Sequence, residues 1–190
     1  MPTMQWKTTT AIATIILCVG AVIGTGSSCK ISNKSAGKQT FYDSLGGTTL
    51  VPDSASYGQT VERGYLAIRT IVDTALLIIA ADSTINGYFS LVLQEDSTGN
   101  ESPYESLKLN MANFLAVAAG AEDYSYTGPD LMAAHNPDSN GNISMKVTSA
   151  AFNEFAYDLG LSAMQYGLSA QLISQFGTLL YRYESQVVQP

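Results

Sequence analysis

The chain has 190 residues, enough for one domain with one core. It is 46% hydrophobic and only 13% charged, which excludes a disordered chain. The formal charge of -7, the pI near 4.5 and the lack of any basic run exclude a nucleic-acid binder, because phosphate recognition needs clustered Lys and Arg.

Residues 1–29 read as an export signal. Lys7 is the single charged side chain there, and Ala11 to Ile23 form an apolar run of signal-core length, short for a membrane span. Small residues follow (Gly24, Thr25, Gly26, Ser27, Ser28), and then Cys29. Ser28-Cys29 after such a run resembles a bacterial lipoprotein processing site. Cys29 would then be the lipidated first residue of an exported protein, periplasmic or anchored in the envelope. Gly26 departs from that pattern, which usually carries Leu there. An ordinary secretory cleavage near Ser28 and an uncleaved N-terminal anchor are the other two readings. Cys18 lies inside the apolar run, so cleavage leaves one cysteine and no intrachain disulfide. Residues 30–40 are small and polar and read as a flexible tether.

The domain is expected over residues 41–188. Thr40-Phe41-Tyr42-Asp43-Ser44-Leu45-Gly46-Gly47 fits a single helical turn stopped by glycines. Thr48 to Arg63 carries Pro52, Gly58 and many small polar residues and reads as a loop. Gly64 to Ala81 has Leu66, Ile68, Ile71, Val72, Ala75, Leu76, Ile79 and Ala80 at helical spacing and is apolar on nearly all sides, so it should be a central buried helix. Ile85, Tyr88 and Phe89 can pack in the short turn that follows. Leu91 to Pro103 reads as an acidic, turn-rich loop. Tyr104 to Ala119 is the next helix, with Leu107, Met111, Phe114, Leu115 and Ala118 as its stripe.

Tyr126-Thr127-Gly128-Pro129-Asp130-Leu131-Met132-Ala133-Ala134-His135-Asn136-Pro137 holds the one histidine of the chain. Pro129 suits a first helical turn and Pro137 closes it, which predicts about two turns of helix with His135 in the last. Leu131 shares its face, so the imidazole should meet apolar surroundings. Asn136 to Val147 has oxygen side chains at positions 1, 3 and 5 and Gly at 6 of a calcium loop, but Val147 stands where the acid of position 12 belongs, and an Asn-Gly turn is the better account. Ser149 to Tyr166 and Ser169 to Val187 read as two closing amphipathic helices, with Ser169 as an N-cap.

Several chemistries lack their residues. No Gly-x-Ser-x-Gly elbow, Gly-x-Gly-x-x-Gly or P-loop occurs. One His without spare Cys argues against zinc, and Cys-x-x-Cys-His for covalent haem is missing.

Four landmarks stand in order: the Leu-Gly-Gly opening, Tyr88-Phe89, Tyr-Thr-Gly through His135, and the two closing helices. Together they resemble the truncated haemoglobins, group 1-like. The resemblance implies an all-α, globin-like two-over-two helical sandwich around a noncovalent haem b. It implies His135 as the proximal iron ligand. It implies Phe89, Phe114 and Leu76 as pocket walls with Met111 beside them, and Asn110 as the one distal polar candidate. The implied function is reversible binding of a diatomic gas, O2 or NO. Leu76 falls where the family often has a tyrosine that donates a hydrogen bond to the ligand, and each lost donor removes about 1 to 3 kcal/mol in a buried site. That departure disfavours NO dioxygenation, which would also call for a reductase. Segments 48–63 and 136–147 are insertions against the family pattern. The rival reading keeps the fold without haem, as an envelope lipoprotein that binds a partner or serves structure.

Overall fold

The computed structural model describes residues 38–189, apart from 98, 100, 101 and 144 and the side chains of 95–97 and 102. The export signal, most of the tether and Cys29 lie outside the described residues.

The first helical turn, α1 (Phe41–Ser44), is closed by a reciprocal cap. The Thr40 hydroxyl accepts from the Asp43 amide at 3.0 Å, and the Asp43 carboxylate accepts from the Thr40 amide at 2.9 Å. Gly46 and Gly47 then turn the chain with φ of +112° and +53°. The Gly47 carbonyl accepts from the Gly64 amide, which seats the turn on the start of the next long helix. Between them the expected loop is instead an antiparallel hairpin. β1 (Leu50–Pro52) pairs with β2 (Thr60–Glu62), with Val51 opposite Val61. An ion pair from Asp53 to Arg69 ties its tip to the helix. The alternation that marks a strand is only three residues long on each side, too short to stand out from a polar loop.

α2 (Arg63–Ala81) is the expected central helix. Ala67, Ile68, Ile71, Val72, Ala75, Leu76 and Ile79 are all 2% exposed or less. Each large member contributes about 2 kcal/mol of burial, as an upper estimate. By length and composition α2 could cross a membrane, but half of that stretch is interior to the domain, as a core helix requires. It packs on both α4 (Ser102–Ala119) and α6 (Ser149–Gln165), and α6 packs in turn on α7 (Ala170–Tyr181). These four helices form the layered all-α core that the expected two-over-two sandwich calls for. Small residues permit the close α2–α6 approach: Ser162 is fully buried, and its hydroxyl donates to the Ile71 carbonyl at 2.5 Å.

A 3-10 turn (Asn86–Phe89) leads into α3 (Ser90–Ser97). This helix replaces the first half of the expected acidic loop. Leu91-Val92-Leu93 start it, and buried Val92 anchors it, so tertiary packing overrides a weak local preference. α5 (Leu131–Ala134) is one turn, shorter than expected. The closing segment is also broken. α7 ends at Tyr181, and a separate turn, α8 (Glu184–Val187), returns towards α5 and α6. Ser169 caps α7 as expected, accepting from the Leu172 amide.

Gly64 lies against the Tyr42 ring, where a β-carbon would come within 2.7 Å of ring carbons. The Tyr42 hydroxyl donates to the buried Glu62 carboxylate at 2.5 Å, so the ring cannot swing aside cheaply. Gly64→Ala should cost about 2 kcal/mol, read as a fall of roughly 4 to 8 °C in thermal midpoint for a domain of this size. A midpoint within a degree of the parent would show that the contact is not tight.

Candidate functional site

The segment before α5 is built by a tyrosine folded onto its own backbone. The Tyr126 ring lies over Gly128, where a β-carbon would sit 2.5 Å from the phenolic oxygen, and its hydroxyl donates to the Pro129 carbonyl at 2.6 Å. Tyr-Thr-Gly-Pro is therefore one physical unit, in which glycine leaves room for the ring. The helix starts later than expected because Asp130, not Pro129, opens it as the N-cap; the Asp130 carboxylate accepts from the Ala133 amide at 3.0 Å.

His135 stands at the C-cap, and the Leu131 carbonyl receives two bonds from it. The backbone amide donates at 3.1 Å, and ring Nδ1 lies at 2.8 Å. A carbonyl can only accept, so the ring proton belongs on Nδ1, and Nε2 keeps a free lone pair. Burial lowers the His135 pKa below its ordinary 6.5, against a smaller opposing effect of the Leu131 bond. The imidazole is thus neutral at pH 7, the state a metal ligand needs. Beyond it, the Asn140 side-chain amide donates to the Ala134 carbonyl at 2.7 Å and satisfies the helix end. The asparagines of 136–142 bind this loop to itself and to α5.

A cavity of about 650 Å³ opens beside this imidazole. That volume lies inside the usual range of roughly 300 to 1,000 Å³ for sites of small organic ligands. The 3-10 turn, α3, α4, α5, α6 and the C-terminal residues all supply wall. His135, Phe89, Asn110, Met111 and Phe114 are brought together on it. Leu76 is not. It is 2% exposed and belongs to the core that α2 forms with its neighbours, so the expected wall position is corrected. The reason is that α2 packs directly on α4 and α6, and the face holding Val72, Leu76 and Ile79 is consumed in that packing.

Aromatic rings hold the wall in place. Phe89 stacks on Phe155 with centroids 6.5 Å apart. Phe114 meets Tyr126 edge-on at 5.5 Å and Tyr183 at 4.9 Å. Tyr126, Tyr183 and Phe155 are wall residues that the sequence reading did not single out as site residues. Phe155 and Tyr183 fall within the two segments read as closing amphipathic helices, but nothing local says that residues 114 and 183 meet. Among the described lining residues none is Lys or Arg. The donor set is therefore one neutral imidazole with scattered hydroxyls and amides in an apolar slot. That set suits a planar, largely apolar group carrying one metal with an affinity for imidazole.

The single histidine allows a direct check by NMR in the chain with no ligand added. The ring resonances should titrate with a midpoint below 6.5, whereas the denatured chain should titrate near 6.5. Sign follows from linkage. The folded pKa is depressed, so the His135 contribution to stability is complete above pH 6.5 and is lost as pH falls through the lower folded value. A midpoint at or above 6.5 in the folded chain would contradict the buried, carbonyl-bonded ring.

No protein-family model matches the sequence, and no curated protein is similar to it. Solved structures do match. The truncated hemoglobin of Tetrahymena pyriformis in its Fe(III) form aligns over 80% of this chain and 100% of its own, with a TM-score of 0.57 at 16% identity. A glutamine-to-glutamate mutant of that hemoglobin gives a TM-score of 0.58 at 15% identity over the same shares. The 2/2 hemoglobin of Synechococcus sp. PCC 7002, in the cyanomet state with covalently attached heme, aligns over 78% of this chain and 98% of its own, with a TM-score of 0.54 at 20% identity. With α2 between α4 and α6, and α6 on α7, the chain has the two-over-two globin fold of the truncated haemoglobins.

Proposed function

We propose that the domain binds haem b noncovalently, with His135 as the proximal iron ligand, and reversibly carries a diatomic gas, O2 or NO. The observation that carries this reading is the neutral imidazole whose Nδ1 is held by the Leu131 carbonyl on the wall of the 650 Å³ apolar cavity. The likeness to truncated haemoglobins supports it at the level of fold. The lack of Cys-x-x-Cys-His favours a noncovalent group.

Bound haem would supply the iron that takes up the gas. The protein's own groups do the rest. His135 offers Nε2, and its bond to Leu131 fixes the tautomer and the ring plane. Phe89, Met111 and Phe114 keep water from the slot. Asn110 is the distal donor of this reading, since its side-chain amide can donate to a polarised ligand. Leu76 has no hydroxyl and is in the core, so the tyrosine donor of the family pattern is lost. A gas carrier that releases O2 readily fits this pocket better than an NO dioxygenase. With no cation on the described wall, the haem carboxylates would meet hydroxyls, amides or solvent. Export through residues 1–29 and lipidation at Cys29 complete the proposal, which places gas binding in the cell envelope; a reductase would be needed only if the iron must be kept ferrous there.

The test adds hemin to the full chain and records the visible spectrum of the parent and of His135→Ala. A Soret band that the substitution abolishes is the expected result. No band would overturn the reading and favour a haem-free envelope module that binds a protein partner, whereas a band indifferent to His135 would overturn His135 as the iron ligand. A second variant addresses Asn110. Asn110→Leu should raise the O2 dissociation rate by up to about tenfold, the value of one lost hydrogen bond of about 1.4 kcal/mol. An unchanged rate, by laser photolysis or stopped flow, would remove Asn110 from the ligand's surroundings.

A further inference from the structure

A second cluster of chemistry lies at the edge of the helical core, apart from the cavity lining. Asp82 follows the last residue of α2, and Glu154 and Asp158 are one turn apart on α6. One carboxylate oxygen from each lies within 4.8 Å of the other two. Asp158 is 2% exposed, and its Oδ2 is buried without a hydrogen-bond partner. A buried carboxylate normally has a partner, because an unmet charge costs several kcal/mol. Among the described residues, no Lys or Arg pairs with any of the three; the ion pairs of the domain involve Asp53, Asp73 and Glu105. The C-terminal end of α2 adds its own negative partial charge, with no basic residue in its last turn. Burial first, then the charges of Asp82 and Glu154, push the Asp158 carboxyl up to about 6. It is therefore still largely ionised at pH 7, with nothing to answer the charge.

We propose that Asp82, Glu154 and Asp158 bind a divalent cation that pins the end of α2 to α6. Three carboxylates and no nitrogen or sulfur donor select a hard cation. Oxygens on opposite sides of Ca²⁺ stand about 5 Å apart, and those around Mg²⁺ about 4 Å. Three oxygens within 4.8 Å of one another can share one such cation, and Ca²⁺, which tolerates irregular geometry and gives up water more readily than Mg²⁺, suits side chains fixed by helix packing. Ca²⁺ should therefore bind more tightly than Mg²⁺. The site is also placed to act on the cavity. Asp82 leads directly into the turn that carries Phe89, and Glu154 precedes Phe155, the ring on which Phe89 stacks. A cation here would brace that part of the wall from behind, whether or not haem is bound.

The test is calorimetric titration of the chelator-stripped full chain with CaCl2 and with MgCl2, together with thermal unfolding at constant ionic strength. The expected result is a saturable one-site heat with Ca²⁺, weaker with Mg²⁺, and a midpoint raised by several degrees at saturating Ca²⁺. Asp158→Asn should weaken Ca²⁺ at least tenfold and abolish the Ca²⁺-dependent rise. It should also raise the cation-free midpoint, because it removes the unanswered charge. Should that variant fold poorly, Glu154→Gln, at a half-buried position, gives the same readout. No heat with either cation, or a variant that still responds to Ca²⁺ like the parent, would overturn the proposal. A parent midpoint that rises on acidification through about pH 6 yet ignores both cations would also overturn it, and would identify a cluster that shares protons instead.

Discussion

Everything in this domain is arranged to bury α2. Nine of its nineteen residues are buried, and α4 and α6 both pack on the helix to cover them. That requirement sets the spacing of the other helices. It explains the small Ser162 where α6 crosses, and the hydroxyl that bonds a helix carbonyl across the contact. It also explains Leu76, whose side chain is spent on the core and not offered to the cavity. The cavity forms where α4 and α6 meet the shorter elements, namely the 3-10 turn, α3, α5 and the C-terminal residues.

Local chemistry then makes the site specific. One turn of helix is too short to be stable alone. Here it is held by the Tyr126 ring folded over Gly128, the Asp130 cap, and the Asn140 amide at its end. Those bonds leave His135 with its Nδ1 proton committed and its Nε2 lone pair free. The burial that lowers its pKa keeps that lone pair unprotonated. A half-buried position serves such a residue better than a fully buried one, since a ligand needs an approach.

The two segments expected to be insertions are held in the fold by different contacts. The hairpin of residues 50–62 is fastened by Asp53 and Arg69 to the outside of α2, so it extends the fold without entering the cavity. The asparagine-rich loop after His135 is different, because its side chains cap α5 and contribute Asn140 and Asn142 to the wall. The carboxylates of Asp82, Glu154 and Asp158 show the cost of the same packing. Bringing the end of α2 onto α6 sets three acids together, one of them, Asp158, out of reach of solvent.

What could be read from the residues alone was whatever depends on neighbours in the chain. The helical period marked α2, α4, α6 and α7 to within a residue or two at their first residues, because apolar spacing acts over one turn. The glycine stop, the Ser169 cap and the importance of Tyr126 to His135 were legible for the same reason. So were Phe89, Met111, Phe114, Asn110 and His135 as a set, although through likeness to a family pattern and not through spacing. The tertiary structure alone decided the rest. Two three-residue strands stabilise only as a pair, and α3 forms because Val92 finds a core. Leu76 faces inward because α4 and α6 take that side of α2. Phe114 meets Tyr183, and Asp82 meets Asp158, across separations in sequence over which no periodicity carries information. Those contacts exist only once the helices are packed, so only the packed structure could reveal them.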